Sequence, residues 1–280
     1  PCRRLCERRA RGRRCETRGT SRKPRDRLAT KGTRSTGNAR QDPRAFSGEL
    51  RLEGTVRTNI LKRKLAEGKR VCGALVEFNC PDLIEILGHL GYDFVFLDGQ
   101  HCGLNPESAR GLIRAADLVG MTNIVRVPKN DPAIILEYLE LGAGGIIVPN
   151  MTTRAETEAM ISAMKYPPVG IRGGFGRSRA SNYGITQTQV EYFTKMNDEV
   201  LAIPLVEDQA ALPNLDAICS TPGVDIVITG PGDMALSMGI PGGWKNPRVQ
   251  AGVAQVLAAA TAAGKPSMIV ALDPADGRAL

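Results

Sequence analysis

The 280-residue sequence predicts an α/β fold, a TIM-type (β/α)8 barrel, on three observations. Aliphatic runs of four to six residues recur seven times beyond residue 58, bounded by Gly, Pro or charge, as befits strands buried on both faces of a parallel sheet. Helix-like segments separate them at spacings of roughly 20 to 30 residues, apart from one long gap after the fourth run. Acids, a histidine and an arginine fall at the ends of runs two, three, five and six, the end of a barrel that carries its chemistry. A dinucleotide-binding sheet fits less well, because no GxGxxG follows the first run and Gly173-Gly174-Phe175-Gly176 lies between helix-like stretches.

The elements follow in order. Residues 60–67 form a short amphipathic helix, then strands are expected at 71–76, 94–97, 124–127, 145–148, 201–206, 226–229 and 267–271. Helices are expected at 81–88, 106–119, 132–141, 154–164 and 247–263, the last with Asn246 as N-cap and Gly264 as its stop. The chain stops just beyond the seventh run, so the eighth strand and its helix are expected to be missing, leaving two open strand edges that invite foreign pairing and aggregation. Residues 1–57 show no periodicity and few aliphatics, and read as a disordered basic tail ahead of a barrel domain at 58–280. Because the first residue is Pro and not Met, that tail reads either as non-native upstream sequence or as plain disorder.

Charge divides the same way. Residues 1–57 hold 18 Lys+Arg against 6 Asp+Glu, a net +12, and residues 58–280 hold 19 against 23, a net −4. A nucleic-acid arm or an Arg-rich transit peptide would account for the tail, but six acids weaken the second and the absence of interleaved aromatics weakens the first, so a nucleic-acid partner is not expected. No apolar run approaches the roughly 18 to 20 residues of a membrane span. The seven cysteines show no CxxC or paired spacing and are expected to be reduced, mostly buried thiols in a cytoplasmic protein.

Run two leads into Asp98-Gly99-Gln100-His101, run three contains Arg126, run five ends at Glu207, and run six leads into Gly230-Pro231-Gly232-Asp233. Glu207 and Asp233 are one β/α unit apart, which sets two carboxylates at neighbouring strand ends, a donor pair suited to Mg2+ or Mn2+ with sites left for a chelating substrate. Each taken singly would serve equally as a capping or salt-bridged acid. His101 beside Asp98 is a candidate general base, whereas His89 reads as structural. Arg126 among aliphatics needs an anion, supplied either by a bound carboxylate or by Asp98 or Glu207. The irregular, Gly-rich stretch at 166–183 carries Arg172, Arg177 and Arg179, and reads either as a solvated loop or as the element that recognises a distal substrate carboxylate, in its own or an adjacent subunit's site, with Arg172 foremost.

Five collinear motifs, DFVFLDGQH at 93–101, VRVPKNDP at 125–132, GIIVPN at 145–150, YPPVGIRG at 166–173 and GVDIVITGPGDMALSMG at 223–239, resemble the HpcH/HpaI aldolase/citrate lyase family of metal-dependent class II pyruvate aldolases. The resemblance runs from about Asn59 to the end. It implies a homo-oligomeric lyase that cleaves a 4-hydroxy-2-oxo acid to pyruvate and an aldehyde through a metal-stabilised enolate, using Mg2+, Mn2+ or Co2+. Carried onto this sequence, it makes Glu207 and Asp233 the metal ligands, His101 the base, Arg126 the enolate stabiliser, and the backbone at Gly232 and Asp233 the holder of the pyruvate carboxylate. Glu140 stands where the family usually has an Asp that orients the histidine, and Asp98 matches a frequent active-site carboxylate. Two positions depart from the family pattern: Gln100 replaces a usual Glu, and Leu205 replaces a Gln that contacts the substrate. Those departures keep oxaloacetate decarboxylation or enolate condensation open as alternatives, with an inactive barrel fragment as a third.

Overall fold

The computed structural model describes residues 57–271. The chain divides into two units, Pro1–Glu49 and Leu50–Leu280, and the described residues belong to the second. The expectation of a disordered tail therefore falls, Arg57 apart, outside the described residues.

Seven strands form one sheet in sequence order: β1 Gly73–Val76, β2 Phe94–Asp98, β3 Thr122–Arg126, β4 Gly145–Val148, β5 Leu201–Val206, β6 Val227–Thr229 and β7 Ser267–Met268. Every neighbouring pair is parallel, for instance Asp98 opposite Arg126 and Leu205 opposite Ile228. The fold is thus α/β and TIM-barrel-like, with a sheet that curls around an inner apolar cluster. Strand side chains alternate between two cores. Phe94, Phe96, Ile124, Ile147, Ile203 and Leu205 belong to the inner cluster, while Val95, Leu97, Val125, Ile146, Val206 and Val227 pack outward against the helices.

Helix α1 (Ile60–Ala66) inserts Leu61 into the inner cluster at the base of the strands. Its N-cap, Asn59, accepts from the Lys62 amide and donates through Nδ2 to the carbonyls of Gly144 and Glu199, tying helix to sheet. Then come α2 (Pro81–His89), α3 (Pro106–Leu118), α4 (Pro132–Leu141), α5 (Arg154–Met164), α6 (Gln189–Glu199), α7 (Leu215–Cys219), α8 (Pro231–Ser237) and α9 (Pro247–Ala262). Reciprocal capping boxes, Asn105 with Ser108, Thr153 with Glu156 and Thr188 with Glu191, open α3, α5 and α6. Helix α4 is capped by Asp131 and stopped by Gly142 at φ 98°, a left-handed conformation that glycine adopts without Cβ strain.

Several expectations shift. Helices α6, α7 and α8 were not foreseen, and β3 begins at Thr122 because Asn123 finds partners in the sheet layer, accepting from the Gly144 amide. The cysteines are corrected too: Cys219 is buried, but Cys72 is exposed and Cys80 and Cys102 are half-buried, since they lie outside the strands in connections. No described helix is long and apolar enough to cross a membrane.

Candidate active site

Parallel strands deliver their C-terminal ends to one side of the sheet, and the inward-facing parity of each strand continues into a polar residue there. Phe94 and Phe96 lead to Asp98, Ile124 leads to Arg126, and Ile203 and Leu205 lead to Glu207. Asp98 is 1% exposed and takes Arg126 in a two-point grip, Nε to Oδ1 at 2.9 Å and Nη2 to Oδ2 at 2.6 Å. The amides of Gln100 and His101 and the Cys102 thiol also donate to this carboxylate. Burial alone would raise the Asp98 carboxyl, but Arg126 and the two amides outweigh it and hold the group below the usual carboxylate range. The Arg126 guanidinium lies over the Phe96 ring, 5.3 Å from its centre. Of the two protein carboxylates offered for Arg126, Asp98 and not Glu207 is the one it binds, and Nη1 has no hydrogen bond among the described residues.

Glu207 is 2% exposed. Its Oε1 accepts from the Asn150 amide at 3.0 Å, with Asn150 at φ 55°, a conformation asparagine tolerates better than most residues. Its Oε2 is buried and has no hydrogen bond among the described residues. Burial first, and then the neighbouring Asp233 carboxylate, push Glu207 up to about 7, against the pull of the Asn150 amide and Arg126. Asp233 sits in the first turn of α8, with exposed Gly232 beside it, and is close enough to act on Glu207 as a charge and as a hydrogen-bond neighbour. Leu205, 2% exposed, lies one inward step below Glu207 and forms an apolar floor. Gln100 is half-buried, with an Oε1 that has no partner. His101 is exposed, and among the described residues only its backbone amide is bonded, to Asp98. Cys102 was not singled out beforehand; burial and then Asp98 push its thiol up to about 11, so it stays protonated at neutral pH.

The sequence profile of the family described as HpcH/HpaI aldolase/citrate lyase matches residues 73–278. The chain belongs to this family. It is 34% identical over 220 residues to a 5-keto-4-deoxy-D-glucarate aldolase of Shigella boydii serotype 18, covering 79% of this chain and 84% of that one. It is also 34% identical over 215 residues to a hydroxypyruvate/pyruvate aldolase of Sagittula stellata, covering 77% and 84%. Among solved structures, an HpcH/HpaI aldolase/citrate lyase family protein of Burkholderia cenocepacia J2315 superposes with a TM-score of 0.75 at 30% identity, over 79% of this chain and 88% of that one. As an HpcH/HpaI protein the chain is an enzyme of the pyruvate-aldolase class.

Two residues expected at the site of this family member lie elsewhere. Glu140 is in the last turn of α4, at the end of the helix that leads away from the strand ends. Its partner is Arg172, at 3.2 Å, and no hydrogen bond joins it to His101. Arg172 is correspondingly not an open carboxylate clamp: its side chain is 1% exposed and stacks 4.4 Å from the centre of the Tyr166 ring. Arg179 pairs with Asp117, and of the three arginines only Arg177 is exposed to solvent. A cavity of about 350 Å3 also lies at the base, between Asn59, Asp117, Asn123, Gly144 and Met196, and none of the mouth residues lines it.

Proposed function

We propose that this HpcH/HpaI protein is a metal-dependent carbon–carbon lyase that cleaves a 4-hydroxy-2-oxo acid to pyruvate and an aldehyde. The observation that carries the proposal is Glu207, a buried carboxylate with one oxygen held by a backbone amide and the other without a partner beside Asp233. Two acids crowded together in a poorly solvated site repel unless a proton or cation lies between them, and hard oxygen donors fit a hard divalent cation. Among the described residues no group of three or more His, Cys, Asp and Glu side chains forms a cluster, so Glu207 and Asp233 would hold Mg2+ or Mn2+ as a pair, leaving coordination positions for substrate. When bound, the cation supplies an electrophile for the oxygens of a 2-oxo acid and a counter-charge for the electrons released on cleavage.

The remaining steps belong to side chains of this protein. Arg126, fixed by Asp98 and the Phe96 face, presents its Nη1 end to the developing negative oxygen without having to reorganise. Amides in the first turn of α8, at Gly232 and Asp233, have no partners within their helix and suit the substrate carboxylate. The His101 imidazole takes the proton from the C4 hydroxyl oxygen, and its solvent exposure lets it pass that proton on. Leu205 excludes water from below. Self-association is part of the proposal, because Ile171, Phe175 and Ile185 between α5 and α6, and Val190 in the first turn of α6, leave large apolar side chains exposed.

The test pairs 4-hydroxy-2-oxo acids with oxaloacetate, each with and without EDTA. Pyruvate and aldehyde release abolished by EDTA and restored by Mn2+ is the expected result. Cleavage that persists in EDTA and is trapped by borohydride would put a lysine in place of the metal. Preferred turnover of oxaloacetate would favour the decarboxylase alternative. Sedimentation at micromolar concentration tests self-association, which a monomer would refute.

A further inference from the structure

Gly230 occupies the N-cap of α8, a position where Ser, Thr, Asp or Asn would ordinarily cap the helix, and no side chain caps it here. Its backbone does not call for glycine, since φ −110° and ψ 89° are open to other residues. The reason lies in space. A Cβ at Gly230 would stand 2.7 Å from Glu207 Oε2 and 3.0 Å from Glu207 Cβ, the first inside any real contact and the second at its edge. Oε2 is the oxygen that is buried and has no partner. The residue is held in place by its own amide, which donates to the Val206 carbonyl at 3.3 Å, and by its carbonyl, which accepts from Met234. It cannot drift away without unpicking both β6 and α8.

We infer that Gly230 is a positioning residue for the metal site: its missing side chain is the recess in which the Glu207 carboxylate lies, and any side chain there displaces Oε2 from its place beside the Gly230 backbone. The inference rests on the metal reading of Glu207 and Asp233 and adds to it the residue that sets their approach. The recess is held from three sides, by the Asn150 amide on Oε1, the Gly230 backbone under Oε2, and Leu205, whose Cδ1 lies 3.5 Å from the same Cβ position.

The experiment is Mn2+ binding to the full chain, read from the electron paramagnetic resonance signal of the free ion. Gly230→Ala is compared with wild type and with Gly111→Ala, whose Cβ would meet only Pro81 at an ordinary 3.6 Å. The expected result is a Kd for Mn2+ raised at least tenfold in Gly230→Ala and unchanged in Gly111→Ala. A second variant, Gly230→Ala with Glu207→Asp, withdraws the carboxylate by one methylene and relieves the 2.7 Å contact with Oε2, leaving only the 3.0 Å contact with the residue 207 Cβ, so it also serves if the single variant does not fold. Shortening Glu207 should cost less affinity in the Gly230→Ala background than in wild type. Wild-type Mn2+ affinity in Gly230→Ala, or equal costs of the shortening in both backgrounds, would overturn the positioning role while leaving the metal site standing. Absence of Mn2+ binding by wild type would overturn the metal reading and this inference with it.

Discussion

Replacing Glu207 by Gln should stabilise the metal-free protein, and more so as pH rises. The carboxyl is raised from an ordinary 4.5 to about 7 in the folded chain, so folding favours its protonated form. A carboxyl raised by folding costs stability as pH climbs from the unfolded pKa through the folded one. With 1.36 kcal/mol per pKa unit, the cost is about 1 kcal/mol at pH 5 and about 3 kcal/mol at pH 8. Gln keeps an oxygen for the Asn150 amide and offers Asp233 an NH2 group in place of a charge. Urea denaturation in EDTA at a series of pH values from 5 to 8 should therefore show a Glu207→Gln advantage that grows by roughly 2 kcal/mol across the range. With Mn2+ present the order should reverse, because ligand binding stabilises the wild type alone. An advantage that is the same at pH 5 and pH 8, or a variant less stable than wild type at pH 8 without metal, would show that Glu207 is not the buried, crowded acid described above.

Asp98→Asn should cost about 3 to 5 kcal/mol in urea denaturation, because it leaves the Arg126 charge without its buried anion; a loss below 1 kcal/mol would mean solvent already reaches the pair. His101→Ala should lower 4-hydroxy-2-oxo acid cleavage by roughly 10²- to 10⁴-fold. It should spare oxaloacetate decarboxylation, which removes no hydroxyl proton, and it should leave the melting temperature unchanged for an exposed side chain; parallel loss of both activities would remove His101 from the role of base. Arg172→Leu should destabilise by about 1 to 3 kcal/mol through the orphaned Glu140, with KM for oxo acids unchanged; a raised KM at wild-type stability would return Arg172 to substrate recognition.

Most of the strand framework was legible in the sequence because a buried parallel strand must be continuously apolar, and residues 94–97, 145–148 and 201–206 are. Helix α6 was missed although Thr188 and Glu191 stand in capping-box spacing, since its exposed faces blur the apolar periodicity. The placing of Asp98, Arg126 and Glu207 at strand ends was legible because the first two close their strands and the third directly follows one. What could not be read was pairing across the chain. Nothing local says that Glu140 meets Arg172, 32 residues on, or that Arg126 spends its fork on Asp98. Gly230 escaped notice for the opposite reason: its contribution is a volume left empty, and only the Glu207 side chain shows what fills it.

The alternation of Phe96 and Asp98 with Val95 and Leu97 has a bearing on how such an enzyme can diversify. One parity of each strand grips the helices and sets whether the chain folds; the other leads, at its last rung, to the mouth residues. Substitutions at positions 98, 126, 205 and 207 can thus reshape the mouth while the outward parity keeps its grip on the helices.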